Sequence, residues 1–255
     1  MVQQAQNFRP SLAQCILPEK PGVVSLIGSG GKTSTMFCLA RMLKEQGQKI
    51  LTTTTTKINY PNENESLIVH CTSDPIKWLN ANHELIYDHK HITLGKNVLP
   101  ETKIHGYAPH VISAIYELRL FDWIFVESDG AAGRPLKAPA DHEPVIPGSS
   151  GTVVTVVGMC AVGRPLASEW VFRPERFAIQ AGIAGHQDIS LEHLARVLLH
   201  PQGPVKFSPP GCLNVLFLNM YAVPECRRLE MKLEMEKLLR QGISRYQRIC
   251  TGVLS

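Results

Sequence analysis

The run Val23-Val24-Ser25-Leu26-Ile27-Gly28-Ser29-Gly30-Gly31-Lys32-Thr33-Ser34-Thr35 constrains this chain more than any other segment. It is an apolar stretch, then a glycine turn, then Lys-Thr, then apolar residues at helical spacing (Met36, Leu39, Ala40, Leu43). A strand that feeds a helix through such a turn is the layout of a phosphate-binding loop. Glycines let consecutive backbone N–H groups converge on an anion, and the helix that follows aims its N-terminus at the same point. The candidate nucleotide-binding residues are therefore Gly28, Ser29, Gly30, Gly31, Lys32, Thr33 and Ser34. Lys32 is placed to reach the terminal phosphates, and the Thr33 hydroxyl to take a position on Mg²⁺.

The usual pattern has a glycine six residues before the lysine, and Leu26 stands there. The loop is shorter by two residues and resembles the compact loops of the Mur-ligase type. An ordinary strand-to-helix turn with a solvated Lys32 is the competing reading. The strand before, the helix after and the hydroxyl run Thr33-Ser34-Thr35 argue against it.

Apolar, β-branched runs recur along the chain with helical patterns between them. Strands are expected at 23–27, 49–54, 123–126, 153–157, 213–218 and 248–253, with a short apolar run at 67–71. Helices are expected at 32–46, 74–82 with Ser73 as cap, 109–119, 191–199 with Ser190 as cap, and 224–241. Residues 91–94 and 103–105 read as a small strand pair or a loop excursion. This pattern predicts an α/β chain of the P-loop type: three layers, with a mostly parallel sheet covered on both faces. In such sheets ligands bind beyond the carboxyl ends of the strands. The expected organisation is an N-terminal extension over 1–21 and one nucleotide-binding domain over 22–255, with a small insertion at 84–108.

Composition narrows the function classes. A chain of 255 residues with 44% hydrophobic content can bury a core without staples. Its seven cysteines are scattered and contain no Cys-x-x-Cys pair, so neither a disulfide framework nor a zinc knuckle is indicated. No apolar run approaches the roughly 18 residues of a membrane span, and residues 1–20 lack a signal-peptide core. A cytoplasmic location is expected. The net charge of +4 is too small for a nucleic-acid signature. The mixed charges of 225–248 read as a solvated helix face.

The second element of a phosphate site is Trp123-Ile124-Phe125-Val126-Glu127-Ser128-Asp129-Gly130. A hard cation needs oxygen ligands, and Glu127 and Asp129 alternate along an extended chain, so both can face one cleft. The candidate metal residues are Thr33, Glu127 and Asp129. In the following Gly130-Ala131-Ala132-Gly133-Arg134-Pro135-Leu136-Lys137, Arg134 and Lys137 offer positive charge where a transferring phosphoryl group becomes more negative. Lys32 and Arg134 are the candidate catalytic residues. His142 is a weaker candidate for moving a proton.

Three further features invite a functional reading. The run Thr52-Thr53-Thr54-Thr55-Thr56-Lys57 offers hydroxyls to phosphate, metal-bound water or a second substrate, or is simply a threonine-rich strand end. The tetrapeptide Gly-Arg-Pro-Leu occurs at 133–136 and again at 163–166, either by coincidence or as paired anion-facing turns. After the late strand, Leu218-Asn219-Met220-Tyr221-Ala222 keeps the asparagine of a guanine-reading Asn-Lys-x-Asp element without its lysine and aspartate. ATP is thereby favoured, with GTP as the alternative.

Together, 28–33, 52–57, the stretch from Val126 through Asp-Gly-Ala-Ala-Gly-Arg-Pro-Leu-Lys-Ala-Pro, His-Glu-Pro-Val-Ile-Pro at 142–147, and Val157-Gly158 with the second Gly-Arg-Pro-Leu resemble the YqeC family. The resemblance runs from about residue 22 to about residue 224. It implies an accessory protein in the maturation of selenium-dependent molybdenum hydroxylases, with such an enzyme or its cofactor-maturation proteins as partners. The family often has an aspartate where this chain has Cys160, and a fuller Asn-Lys-x-Asp element at Asn219. Three activities suit these residues: nucleotide hydrolysis coupled to maturation, a small-molecule kinase or ligase activating a cofactor precursor, and a carrier that binds nucleotide without turnover.

Overall fold

The computed structural model describes residues 12–183, 187–242 and 244–254. Eight strands make one sheet: β1 (Val23–Gly28), β2 (Ile50–Thr54), β3 (Val69–Cys71), β4 (His91–Gly95), β5 (Trp123–Glu127), β6 (Ser150–Gly158), β7 (Leu213–Asn219) and β8 (Arg248–Gly252). Their order is β8-β7-β6-β1-β5-β2-β4-β3, and every pairing is parallel. Parallel neighbours need crossovers, and helices supply most of them. The chain fills one side of β1 with β2 to β5, then crosses to fill the other side with β6 to β8. β1 therefore sits where the strand order reverses, the place where open α/β sheets hold ligands.

Strands covered on both faces should read as continuous apolar runs, and β1, β2, β4 and β5 are buried at every position. Alternate residues still go to opposite layers. Val24 and Leu26 of β1 pack with Met36, Phe37, Leu39, Ala40 and Leu43 of the Lys32–Glu45 helix, whereas Ile27 packs with Leu194, Leu198, Met231 and Met235 under the Leu191–Leu199 and Glu225–Arg240 helices. Val23 and Val126 join a third cluster with Leu79, Ile86, Ile112 and Ile115. Each large apolar side chain so buried contributes about 1.5–3 kcal/mol, which holds the helix behind the glycine loop rigidly against the sheet.

Ser190 caps its helix as expected, in a capping box completed by His193. Two local expectations need correction. Asp74, not Ser73, caps the Pro75–Ala81 helix, its carboxylate accepting from the Lys77 amide at 3.0 Å. Residues 91–94 and 103–105 are both strands, as one of the two readings has it, but they do not pair with each other: 91–94 lies buried between β2 and β3 of the main sheet, and 103–105 belongs to a separate sheet. The Lys57–Asn59, Asn97–Leu99 and Lys103–His105 strands stand apart as a three-stranded antiparallel sheet, and Leu136–Lys137 pairs with Val171–Phe172 in a parallel two-stranded one. The Pro174–Ala181 and His83–His89 helices were not foreseen; neither is longer than eight residues.

Of the expected N-terminal extension, residues 1–11 lie outside the described residues. The Leu12–Ile16 helix docks on the sheet edge, where Arg248 donates to the carbonyls of Cys15 and Leu17. Among the described residues, no helix is long and apolar enough to cross a membrane.

Candidate functional site

The loop after β1 is held by close backbone approach. Gly30 lies at φ 78°, and a Cβ there would stand 2.5 Å from the Gly158 Cα at the end of β6. Gly31 lies at φ 122°, and its Cβ would meet the Asn219 amide nitrogen at 2.6 Å. Only glycine fits either position. Ser29 is pinned from both ends, its N–H to the Val156 carbonyl (2.8 Å) and its hydroxyl to the Pro135 carbonyl (3.0 Å). The Lys32–Glu45 helix begins at Gly31 with no side chain capping it. Its first N–H groups are left for an external acceptor, which makes this terminus an anion-seeking one.

The two expected carboxylates divide the work. Leu26 of β1 is in register with Glu127 of β5, which brings the acidic strand end beside the loop. Thr33 donates its hydroxyl to Glu127 Oε2 at 2.7 Å. That pair of hard oxygens opens on a cleft of about 640 Å³, lined by 30–34, 57–59, Lys103, Glu127 and 130–134. Asp129 instead faces inward. Its Oδ2 accepts from the Gly28 N–H at 2.9 Å and from Lys137 Nζ at 3.0 Å, and its Oδ1 lies 3.2 Å from Lys32 Nζ. Asp129 thus ties the loop to two lysines.

Lys32 is buried, donates to the Gly28 carbonyl at 2.9 Å, and lies 3.6 Å from Glu127 Oε1. Burial alone would pull its pKa down. The carboxylates of Asp129 and Glu127 more than offset this, and the pKa is raised. Burial raises the Glu127 pKa despite the attraction of Lys32 and the Thr33 hydrogen bond. An anionic Glu127 is thus short of positive charge, the condition that a bound cation would relieve.

A line of alternating charges continues from Asp129 through Lys137 to Glu143 (3.0 Å) and on to Arg173 (2.6 Å). Glu143 is part of the site that sequence reading missed, although it lies in the Gly-Arg-Pro-Leu…His-Glu-Pro stretch. Burial would raise its pKa, but Arg173, Lys137 and the Ala140 amide bring it down to about 2.

Several expected roles change. Lys137 is consumed by Asp129, Glu143 and the Gly130 carbonyl, and is not available to a transferring group. The threonine hydroxyls are spent internally: Thr52 bonds His91 and Thr93, Thr53 the Leu94 carbonyl, Thr54 the Glu127 carbonyl and Thr55 the Val145 carbonyl. They fasten β2 to its neighbours, while Lys57, just beyond them, does reach the cleft. Asn219 is no base reader, because its amide donates to the Gly30 and Leu254 carbonyls, each at 2.8 Å. The two Gly-Arg-Pro-Leu turns are not equivalent: Pro135 touches the loop, while Arg164 packs over Trp170 at 4.9 Å. Arg134 and His142 are exposed, and Arg134 lines the cleft. Cys160 is half-buried in the turn after β6. Burial raises its thiol pKa against a smaller pull from Arg164, which disfavours a reactive thiolate.

A parallel sheet, a glycine loop at its reversal point, an uncapped helix behind that loop and a Lys-Thr pair against an acidic strand end define a protein of the P-loop α/β class. The sequence profile of the YqeC protein family matches residues 24–175. The YqeC protein of Escherichia coli (strain K12) is 34% identical over 223 residues, 88% of this chain and 84% of its own length. The chain belongs to the YqeC family. Among solved structures, that of FlhF complexed with GMPPNP/Mg²⁺ overlaps loosely: TM-score 0.42 at 14% identity, over 93% of this chain and 68% of that one.

Proposed function

We propose that this chain binds a nucleoside triphosphate, ATP in preference to GTP, with Mg²⁺, and that its nucleotide cycle serves the maturation of a selenium-dependent molybdenum hydroxylase. The observation that carries the nucleotide reading is the 2.7 Å pair between Thr33 and Glu127, set beside Lys32 at the mouth of the cleft. A hydroxyl and a carboxylate are the ligand types Mg²⁺ takes from a protein when phosphate and water supply the rest. Bound there, the ion would neutralise phosphate charge. Glu127 and Thr33 would hold it, Lys32 would contact the terminal phosphates, the glycine-loop amides would line the chain of phosphates, and Arg134 would face charge developing on the transferring group. ATP is favoured because Asn219 is occupied by the loop and Met220 and Ala222 stand where a guanine reader needs polar groups.

The maturation role follows from family resemblance. The phosphate site supports it only in that γ-phosphate contacts can order neighbouring loops and release them on hydrolysis. Two measurements test the pair of claims. Turnover of ATP and GTP by the purified chain, with Mg²⁺ and with chelator, addresses the first. Removal of the chain from a cell that makes such a hydroxylase addresses the second: the enzyme should accumulate without its labile selenium. Normal selenium content would refute the maturation role.

A further inference from the structure

The wall of the cleft facing the phosphate loop is built by the three-stranded sheet. Ile58 and Ile104 pair across it and point into the core, both buried. By strand alternation Lys57, Asn59, Lys103 and His105 take the opposite face. The sheet is firmly mounted: a Cβ at Gly95 would strike Ile104 and one at Gly106 the Thr54 carbonyl. Gly106 and Tyr107 also donate their N–H groups to Thr56 and Thr54. Lys57 and Lys103 thus reach the cleft on a fixed support, and Arg134 joins them from the opposite segment. Among the described residues, none of these three cations has an ion pair or a side-chain hydrogen bond. The buried cations of the site, Lys32 and Lys137, are both paired with carboxylates. Three unpaired cations from three segments around one cavity mark a place for negative charge beyond what the loop itself holds.

We infer that Lys57, Lys103 and Arg134 form a subsite for a second, small anionic substrate bound beside the nucleotide, one bearing a carboxylate or phosphate group. The inference rests on the nucleotide reading above. The chemistry of the cleft narrows the acceptor. A hydroxyl acceptor must lose a proton, yet among the described residues the cleft lining holds a single carboxylate, Glu127, engaged by Thr33 and Lys32, and no histidine; His105 shares the face of Lys57 and Lys103 but is not among the lining residues. A carboxylate or phosphate acceptor needs no base. Its oxygen lone pair forms the new O–P bond to the γ-phosphorus, the bond from that phosphorus to the β-phosphate oxygen breaks, and the nucleoside diphosphate leaves with the electron pair.

The test is calorimetric, on the full chain saturated with a non-hydrolysable ATP analogue and Mg²⁺, titrated in separate arms with inorganic phosphate and with succinate. Saturable binding in either arm is expected, and the responding arm identifies the anion class. In the double variant K57A/K103A that binding should weaken at least tenfold, with analogue affinity within about twofold of wild type. Both lysines sit on the surface of a mounted sheet, so the variant should fold, which circular dichroism checks. If the analogue binds and neither anion does, the subsite is refuted and the nucleotide reading stands. If the variant loses analogue affinity as much as anion affinity, the lysines serve the triphosphate and the inference fails. If the analogue does not bind wild type, both readings fall.

Discussion

Replacing Asp129 with alanine tests the division of labour between the two carboxylates. The substitution removes the acceptor of the Gly28 N–H at 2.9 Å and one of two carboxylates on Lys137, whose side chain is 2% exposed. A hydrogen bond to a charged group is worth about 1.5–3 kcal/mol, and breaking a buried pair by removing one partner costs about 3–5 kcal/mol. Lys137 keeps Glu143 and the Gly130 carbonyl, and Lys32 keeps Glu127 and the Gly28 carbonyl. The loss should therefore fall at the lower end, about 3 kcal/mol. With a urea m value of about 3 kcal/mol/M, the unfolding midpoint drops by about 1 M. Asp129→Asn, which keeps an acceptor for Gly28 but no charge for the lysines, should lie between wild type and Asp129→Ala. Urea denaturation followed by circular dichroism reads all three proteins. An Asp129→Ala midpoint indistinguishable from wild type would refute the anchoring role.

Glu127→Gln should behave oppositely. Its acid is already disfavoured as an anion by burial, so the neutral amide should leave the melting temperature unchanged or raised, while Mg²⁺ dependence of nucleotide binding is lost; a clear fall in melting temperature in differential scanning calorimetry would count against this. Glu143 has its folded pKa lowered to about 2 from 4.5, so its contribution is fully present above about pH 4.5 and disappears as pH falls toward 2. Glu143→Gln should flatten the acid arm of the stability profile in that window, and an unchanged acid arm would contradict the ion-pair chain. Asn219→Ala removes the brace on the Gly30 carbonyl and should weaken nucleotide binding several-fold without changing the ATP-to-GTP ratio; a shifted ratio in competition binding would restore a base-reading role. Cys160 should label with a thiol-alkylating reagent no faster than the other cysteines near pH 7, and selective labelling seen by mass spectrometry would overturn its assignment as inert.

The frame of this fold was legible because it rests on local rules. Continuous apolar runs marked β1, β5, β6 and β7, glycines and Lys-Thr marked the loop, and Ser190 marked a helix start. What escaped was tertiary. His91-Ile92-Thr93-Leu94 reads equally as a strand of a small pair or as an excursion, and only its pairing with β2 and β3 places it in the main sheet. Lys137 reads as a charge for the transferring group and Glu143 as an ordinary loop charge until the fold brings Asp129 and Arg173 against them. The threonine run leaves two readings open, hydroxyls for a ligand or a plain strand end, because sequence does not show that Thr52, Thr53 and Thr54 have partners across the sheet. Asn219 reads in sequence as the remnant of a base-reading element, while in the fold its amide binds the backbone of the loop 189 residues away.

The central claim is that residues 28–34 with Glu127 form a Mg²⁺-dependent triphosphate site. Isothermal titration of the full chain with a non-hydrolysable ATP analogue tests it most directly, in Mg²⁺ and in chelator, for wild type and Lys32→Ala. Saturable binding that needs Mg²⁺ and disappears in a folded Lys32→Ala protein is the expected result. A folded Lys32→Ala protein that binds as tightly as wild type, or a wild type that binds neither ATP nor GTP analogues, would contradict the account.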